Sequence, residues 1–376
     1  MLSCGEASGD LYAAALAREL RACAPGTEIF GFGGARLAAA GGELIGDYAR
    51  FAVTGLSEAL SVVPRSLRMI GRLGAAAATR RPDVFVAIDF PDFNFRLLPK
   101  IHALGIPIVY YISPQIWAWR AGRIDVLRRY VTKMLVIFPF EPAIYERARV
   151  PVEFVGHPLV DLARPSEPRE AWLGRIGLDP ARPVVALLPG SRPNEVGRLA
   201  PVLADTVPLV AARVPGVQFV VARAPALDDG MFARLVGRPD VRIVAGETDA
   251  VLAAADAVVT ASGTATVQTA LHGPPMVIVY RLSGLDYTMG RLFVKLPHYG
   301  MVNLIAGREV VPELIQDACT PARIADEVVP LLVDEARAAR VRADLAEVRA
   351  QFGGPGASRR AAEAVIAAAR RAAASA

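Results

Sequence analysis

Short apolar runs and longer amphipathic stretches alternate along this chain. Runs rich in Val and Ile at Glu28–Gly31, Val84–Ile88, Ile108–Ile112, Met134–Phe138 and Val152–Val155 predict strands, and a second set follows at Val184–Leu188, Gln218–Ala222, Val241–Val244, Ala257–Thr260 and Met276–Val279. The runs are continuous rather than alternating, the pattern of strands covered on both faces. Helical periodicity lies between them, at Asp10–Cys23, Leu56–Arg72, Arg198–Arg213 and Ala265–His272. Repeated strand–helix alternation of this kind predicts doubly wound parallel sheets, an α/β fold class. The Pro- and charge-rich stretch Leu162–Pro183 divides the pattern into two halves of similar content. The expected architecture is two Rossmann-like domains, over 1–160 and 161–350, whose parallel sheets face an interdomain cleft. The remaining segment, 351–376, holds an Ala/Arg helix at Ser358–Ala374 expected to pack back on the first domain.

Composition narrows the class. Over 376 residues, 53% are apolar and 21% charged, so a large core is available and extended disorder is excluded. The net charge of +5 rests on Arg, since only 3 of the 42 basic residues are Lys; it is weak evidence for nucleic acid and fits an anionic substrate or a membrane surface equally well. Three cysteines, Cys4, Cys23 and Cys319, are widely spaced and form neither a CxxC pair nor a disulfide framework. The N-terminus lacks the basic and apolar regions of a secretory signal. The longest charge-free stretch, Ala257–Tyr280, is broken by Ser262, Gly263, His272, Gly273 and two prolines, so it does not read as a bilayer span. The expectation is a globular enzyme, in solution or peripheral to a membrane.

Four segments carry candidate chemistry. Gly5-Glu6-Ala7-Ser8-Gly9-Asp10 follows a very short strand at Met1–Cys4, shorter than a central strand should be, and opens a helix. It reads either as a turn that brings backbone N–H groups to an anion or as a tight turn capped by Ser8 or Asp10. The second segment, Ala87 to Asn94, follows a strand, and Asp89 at its carboxyl end faces the crevice where such folds bind ligands, placed either as a general base or in a structural role. Asp92 there is expected to cap the following turn. The third, Leu187 to Glu195, sets Gly190, Ser191 and Arg192 between strand and helix, a phosphate-binding arrangement or a capped turn. The fourth, Thr260 to Gln268, again puts small residues and hydroxyls (Ser262, Gly263, Thr264) at a helix N-terminus, with Gln268 one turn inside. No His, Cys or Asp cluster has metal-ligand spacing, so neither metal nor cofactor is expected. Weaker candidates are the aromatics Trp117 and Trp119, His157 beside Pro158, and Lys295, Tyr299 and Asn303.

Taken together, these segments resemble the lipid-A-disaccharide synthase family, glycosyltransferases with the GT-B fold. The likeness runs through GEASGD at Gly5–Asp10, VTGLSEAL at Val53–Leu60, RPDVFVAIDFPDFN at Arg81–Asn94 and YISPQIWAWR at Tyr111–Arg120. It continues through FPFE at Phe138–Glu141, FVGHPLVD at Phe154–Asp161, LLPGSR at Leu187–Arg192, ASGTAT at Ala261–Thr266 and NLIAGREVVPELIQD at Asn303–Asp317. The resemblance implies inverting transfer from UDP-2,3-diacylglucosamine to 2,3-diacylglucosamine 1-phosphate, giving a β-1,6 disaccharide 1-phosphate and UDP. By that likeness Asp89 deprotonates the acceptor hydroxyl. Gly190, Ser191, Arg192, Ser262, Gly263 and Thr264 hold the leaving UDP in place of a metal, and Gln268 meets the ribose. Glu6, Ser8 and Asn303 serve the acceptor or the diphosphate.

The chain departs from the family pattern in three places. Gln268 stands where a Glu is usual, Met301-Val302-Asn303 where Leu-Pro-Asn is typical, and the first strand is short enough to leave the Gly5–Asp10 segment poorly anchored. Acylated substrates imply a membrane partner. Ser61–Pro82 carries Arg65, Arg68, Arg72, Arg80 and Arg81 beside Leu60, Val62, Val63, Leu67, Met69 and Ile70, so it reads as a basic amphipathic patch for an anionic surface or as an ordinary surface helix. The resemblance implies a peripheral enzyme at the cytoplasmic face of the inner membrane, with no nucleic-acid partner and with a homodimer left open. The rival reading is a UDP-sugar 2-epimerase, or another GT-B transferase of UDP-sugars.

Overall fold

The computed structural model describes residues 1–51, 56–116, 121–282 and 297–375. The chain forms two compact units. One comprises Met1–Pro158 with Phe352–Ala376, the other Leu159–Gln351.

The first unit is built on a seven-stranded parallel sheet of order β3-β2-β1-β4-β5-β6-β7. Its strands are β1 (Leu2–Cys4), β2 (Phe30–Gly33), β3 (Glu43–Asp47), β4 (Phe85–Ile88), β5 (Ile108–Tyr111), β6 (Lys133–Val136) and β7 (Val152–Phe154). The second unit has a six-stranded parallel sheet of order β10-β9-β8-β11-β12-β13. Those strands are β8 (Val184–Leu188), β9 (Gln218–Arg223), β10 (Val241–Ala245), β11 (Ala257–Ala261), β12 (Met276–Tyr280) and β13 (Glu313–Ile315). Strands β4, β5, β8 and β11 are buried throughout, as helices on both faces require. Each fully buried Val, Leu or Ile contributes ~1.5–3 kcal/mol of transfer free energy.

Several boundaries differ from those read in the sequence. Strand β2 begins two residues later than the apolar run at Glu28. The helix expected from Leu56 to Arg72 continues to Arg80, and the one expected from Arg198 starts at Pro193. Two edge strands, β3 and β13, escaped the pattern because each carries acidic residues and is only partly covered. Strand β1 has three residues, yet it pairs on both sides, with Leu2 opposite Gly31 and Val86 and Cys4 opposite Ile88. The Gly5–Asp10 segment behind it is therefore well anchored, contrary to the expectation.

In the first unit the C-terminal helix Ala357–Ser375 packs along Glu6–Cys23. Arg360 ties its start to the end of β7 by donating to the carbonyls of Val155, Pro355 and Gly354 at 2.9, 2.7 and 2.8 Å. His157 closes this joint. Its N–H donates to the Phe352 carbonyl at 2.8 Å, and its ring sits among Tyr12, Phe138 and Phe352 at centroid distances of 6.2, 5.4 and 5.7 Å. Burial in that apolar cage pushes the imidazole pKa down to about 3. His157 is thus a structural residue of the core.

The unfolded chain takes up this proton near pH 6.5, whereas the folded protein refuses it until about pH 3. The stabilising effect of neutral His157 is therefore complete above pH 6.5 and is lost as pH falls toward 3. The expected slope is about 1.4 kcal/mol per pH unit. Urea unfolding between pH 4 and 6.5 should show a slope about one proton smaller in His157→Phe than in the parent protein; equal slopes would contradict the assignment.

Candidate active site

In an open parallel sheet, adjacent strands whose onward connections leave in opposite directions open a crevice at their carboxyl ends. The first unit has this reversal between β1 and β4, since β1 leads outward to β2 and β3 while β4 leads to β5, β6 and β7. The second unit repeats it between β8 and β11. The candidate residues fall at these two places.

At the first crevice, Cys4 and Ile88 are paired residues, so Gly5-Glu6 and Asp89-Phe90 leave neighbouring strands at the same level. The Gly5 segment is not an open phosphate loop. The helix already begins at Glu6, with Gly5 as N-cap and no side-chain cap. Neither Ser8 nor Asp10 caps it, because both lie inside the helix. Asp10, buried, accepts instead from the backbone N–H groups of Gly34, Arg36 and Leu37 at 2.8, 2.9 and 3.1 Å, and so caps the next helix, Ala35–Ala39. Glu6 is exposed and Ser8 half-buried in the first helical turn.

Asp89 is half-buried at the end of β4. Its N–H still follows the ladder, donating to the Tyr111 carbonyl at 3.1 Å, but its φ is 44° and that of Phe90 is 50°. Two consecutive non-glycine residues in the left-handed region cost of order 1–3 kcal/mol each and persist only where surrounding contacts over-determine them. Glu6 (φ 63°) and Ile112 (φ 65°) adopt the same conformation beyond β1 and β5, so three neighbouring strands end in left-handed non-glycine backbone at this edge. The turn lays the Phe90 ring against Gly5, where an added Cβ would stand 2.5 Å from ring carbons. Phe90 also stacks with Phe93 and Phe32 at 5.3 and 6.3 Å.

The hydroxyl of Tyr12 is held protonated by burial, by Tyr111 and by the Asp89 charge. That of Tyr110 is held protonated by burial and, next, by Asp89. The neutral phenols of Tyr12 and Tyr110 thus lie within electrostatic reach of the Asp89 carboxylate. Asp92 does not cap the helix Pro91–His102, whose N-cap is Phe90. It is paired with Arg123 at 2.6 Å.

At the second crevice, Leu188 of β8 lies opposite Thr260 of β11, which brings the turns after both strands together. After β8, Gly190 takes φ 111°, and a Cβ there would come within 2.6 Å of the Glu195 carboxylate. Ser191 and Arg192 are exposed, and the helix Pro193–Ala211 starts with Arg192 as N-cap rather than a capping serine. Arg192 meets Glu195 at 3.3 Å, a loose tether for a guanidinium that projects from the edge. After β11, Gly263 is the N-cap of Thr264–His272, and Thr264 is exposed. The turns that open two helices therefore lie on paired neighbouring strands, and each helix start carries a positive dipole end.

Glu313, a residue not singled out in the sequence, organises this edge together with Ser262, Tyr299 and Asn303, which were. Ser262 donates to the Tyr299 carbonyl at 3.0 Å, and Glu313 accepts from the N–H groups of Tyr299 and Gly300 at 2.8 and 2.9 Å. Asn303 holds Glu313 at 2.8 Å, donates to the Val311 carbonyl, and accepts from Val310 and Val311. It is fully buried, and its amide is engaged with Val310, Val311 and Glu313, so in this structure it shapes the segment around Tyr299. Gln268 has a long-range partner of its own: its amide nitrogen donates to Asp249 at 2.6 Å, and Asp249 meets His272 at 2.8 Å as well. Long-range partners of this kind leave no local signal. Trp117, Trp119 and Lys295 lie outside the described residues. Among the described residues, no group of three or more His, Cys, Asp or Glu is arranged to hold a metal ion.

A family model described as lipid-A-disaccharide synthetase matches residues 1–368. The chain is 44% identical over 364 residues to the lipid-A-disaccharide synthase of Myxococcus xanthus (strain DK1622), covering 96% of this chain and 95% of that protein. It is 46% identical over 353 residues to that of Koribacter versatilis (strain Ellin345), covering 93% and 92%. Among solved structures it is similar to a UDP-GlcNAc 2-epimerase from Neisseria meningitidis bound to UDP-GlcNAc, with a TM-score of 0.69 at 11% identity over 97% and 99% of the two chains. It is also similar to the glycotransferase of kitacinnamycin, with a TM-score of 0.63 at 20% identity over 98% of each. At such identities the structural likenesses establish the fold.

The contact between Gly5 and Phe90 is testable without substrate. Gly5→Ala should lower the unfolding free energy by roughly 1–3 kcal/mol, the usual cost of an overpacked methyl, because the ring is pinned by Phe32 and Phe93. Denaturant unfolding would check this, and an unchanged midpoint would show that Phe90 can move aside.

Proposed function

The chain belongs to the lipid-A-disaccharide synthetase family, and on that footing we propose how its two crevices divide the synthesis of the lipid A disaccharide. The family match sets aside the 2-epimerase reading, which shares the fold alone.

The second unit takes the donor, UDP-2,3-diacylglucosamine. The helix starts at Pro193 and Thr264, the turns at Gly190-Ser191 and Ser262-Gly263, and the Arg192 guanidinium form a site for the diphosphate. As the anomeric bond breaks, charge develops on the leaving UDP, and donors fixed in advance stabilise that charge without reorganising. The Gln268 carbonyl and the nearby Asp249 carboxylate supply acceptors for ribose hydroxyls.

The first unit takes the acceptor, 2,3-diacylglucosamine 1-phosphate. Asp89 abstracts the proton of the attacking 6-hydroxyl as the oxygen forms the β-1,6 bond, and Glu6 and Ser8 line the same strand edge. One base and one displacement invert the anomeric centre. The observation that supports this assignment best is the position of Asp89 in a strained turn at the β1/β4 reversal.

Diacylated substrates reside in a lipid surface, and no helix among the described residues is long and apolar enough to cross one. The helix Leu56–Arg80 presents the docking face. Met69, Ile70, Leu73 and Ala77 are buried against the unit, while Val63 and Leu67 stand 48% and 53% exposed beside exposed Arg65, Arg68 and Arg72. Apolar side chains entering the headgroup region, flanked by guanidinium groups, suit an anionic leaflet. Work at the cytoplasmic face of the inner membrane follows from this reading.

Asp89→Ala should reduce disaccharide 1-phosphate formation from both labelled lipids by at least ~100-fold, the scale of a lost general base, while UDP affinity stays unchanged. Retained turnover would remove Asp89 from the mechanism. Independently, Arg65→Glu, Arg68→Glu and Arg72→Glu together should weaken binding to phosphatidylglycerol vesicles at low salt by roughly 100-fold, at ~1 kcal/mol per basic residue near the surface. Unaltered vesicle binding would exclude this helix as the docking face.

A further inference from the structure

We propose that Tyr110 and Asn94 are positioning residues that hold Asp89 in its reactive geometry through its backbone carbonyl. The inference rests on the reading of Asp89 as the base. The Tyr110 hydroxyl donates to the Asp89 carbonyl at 2.8 Å, and the Asn94 amide donates to the same oxygen at 2.7 Å. Both side chains are fully buried. Asn94 is itself fixed from β1, accepting from the Ser3 hydroxyl at 2.7 Å, and Ser3 is fully buried too. One carbonyl thus receives two convergent side-chain donors, from the adjacent strand and from the first turn of the following helix.

The conformation explains why two are needed. In ordinary extended backbone the Asp89 carbonyl would continue the ladder. With φ at 44° it leaves the ladder and turns inward, and the next residue is left-handed as well. A side chain's direction follows from its backbone angles, so the peptide that places the carboxylate at the edge is the one these donors hold. Burial and the Asp89 charge keep the Tyr110 phenol protonated, so it remains a donor throughout the working pH range. Other packing would keep the strand in place without either donor, since Phe95 lies against the Tyr110 ring at 6.1 Å and Phe93 stacks on Phe90. What the two donors add is the orientation of one peptide.

The test uses Tyr110→Phe, which keeps the ring and its packing, and Asn94→Asp, which keeps the shape but puts an acceptor oxygen toward the carbonyl. Turnover is measured with both lipid substrates across pH, alongside UDP affinity and melting temperature. The expected result for Tyr110→Phe is a fall of about tenfold in kcat, the effect of losing one hydrogen bond that orients the peptide of the base, with KM values and UDP affinity within twofold. The acidic limb of the kcat profile should move, because the carboxylate that titrates there has changed its surroundings. Asn94→Asp should show the same pattern more strongly. Unchanged kcat in Tyr110→Phe, a rise in KM at constant kcat, or an unmoved acidic limb would overturn the proposal. Loss of the folded state in both variants would overturn it too, in favour of a purely structural role. If Asp89→Ala itself retained turnover, the base assignment would fall and this inference with it. With that variant inactive, failure of the Tyr110 and Asn94 results would leave the base assignment standing.

Discussion

Each sheet of this protein turns on a reversal of connection order, at β1/β4 in one unit and at β8/β11 in the other. Helices that leave adjacent parallel strands in opposite directions cannot both cover the gap between their starting points. The carboxyl ends of those two strands stay open, and the first turns of two helices point into the opening. Sheet order thus decides where chemistry can be placed before any reactive side chain is considered. The rest of each site consists of local adjustments that keep those openings shaped.

The two openings are adjusted differently. In the second unit the turns use glycine, helix starts and one exposed guanidinium, an arrangement suited to stabilising negative charge with fixed donors. A half-buried carboxylate acts behind it: Glu313 gathers the Tyr299 segment, and Asn303 fixes Glu313. In the first unit the turns use strained non-glycine residues, an aspartate and buried phenols. Left-handed backbone at Glu6, Asp89, Phe90 and Ile112 is tolerated because apolar packing and directed hydrogen bonds leave it no alternative. Stabilising a leaving anion and removing a proton call for opposite electrostatics, and the two strand-end openings differ in that sense.

Much of this was legible in the sequence. The buried strands announced themselves as unbroken Val- and Ile-rich runs, and β8 matches its run residue for residue. Asp89, Arg192 and the small residues of Ser262–Thr264 could be located because strand ends and helix starts are local signals. Partner choice was not legible. Asp10 lies in a motif that suggests capping of its own helix, yet it caps one more than twenty residues away. Asn303 follows a loop that suggests ligand contact, but its amide faces Val310, Val311 and Glu313. Asp92 pairs with Arg123, and Gln268 with Asp249, across separations that no spacing rule reaches. The edge strands β3 and β13 were hidden for another reason. A strand covered on few sides needs no apolar run, so its pattern resembles a loop.

In the proposed division, nucleotide and base occupy different reversals: UDP belongs to β8/β11, and proton removal to β1/β4. Amide hydrogen exchange with and without saturating UDP tests this most directly, because it reports backbone N–H groups at both edges in the intact protein. New protection is expected in residues 190–196 and 262–267, with none arising in 5–10 or 89–94. Protection confined to the ends of β1 and β4, with 190–196 and 262–267 unchanged, would contradict it.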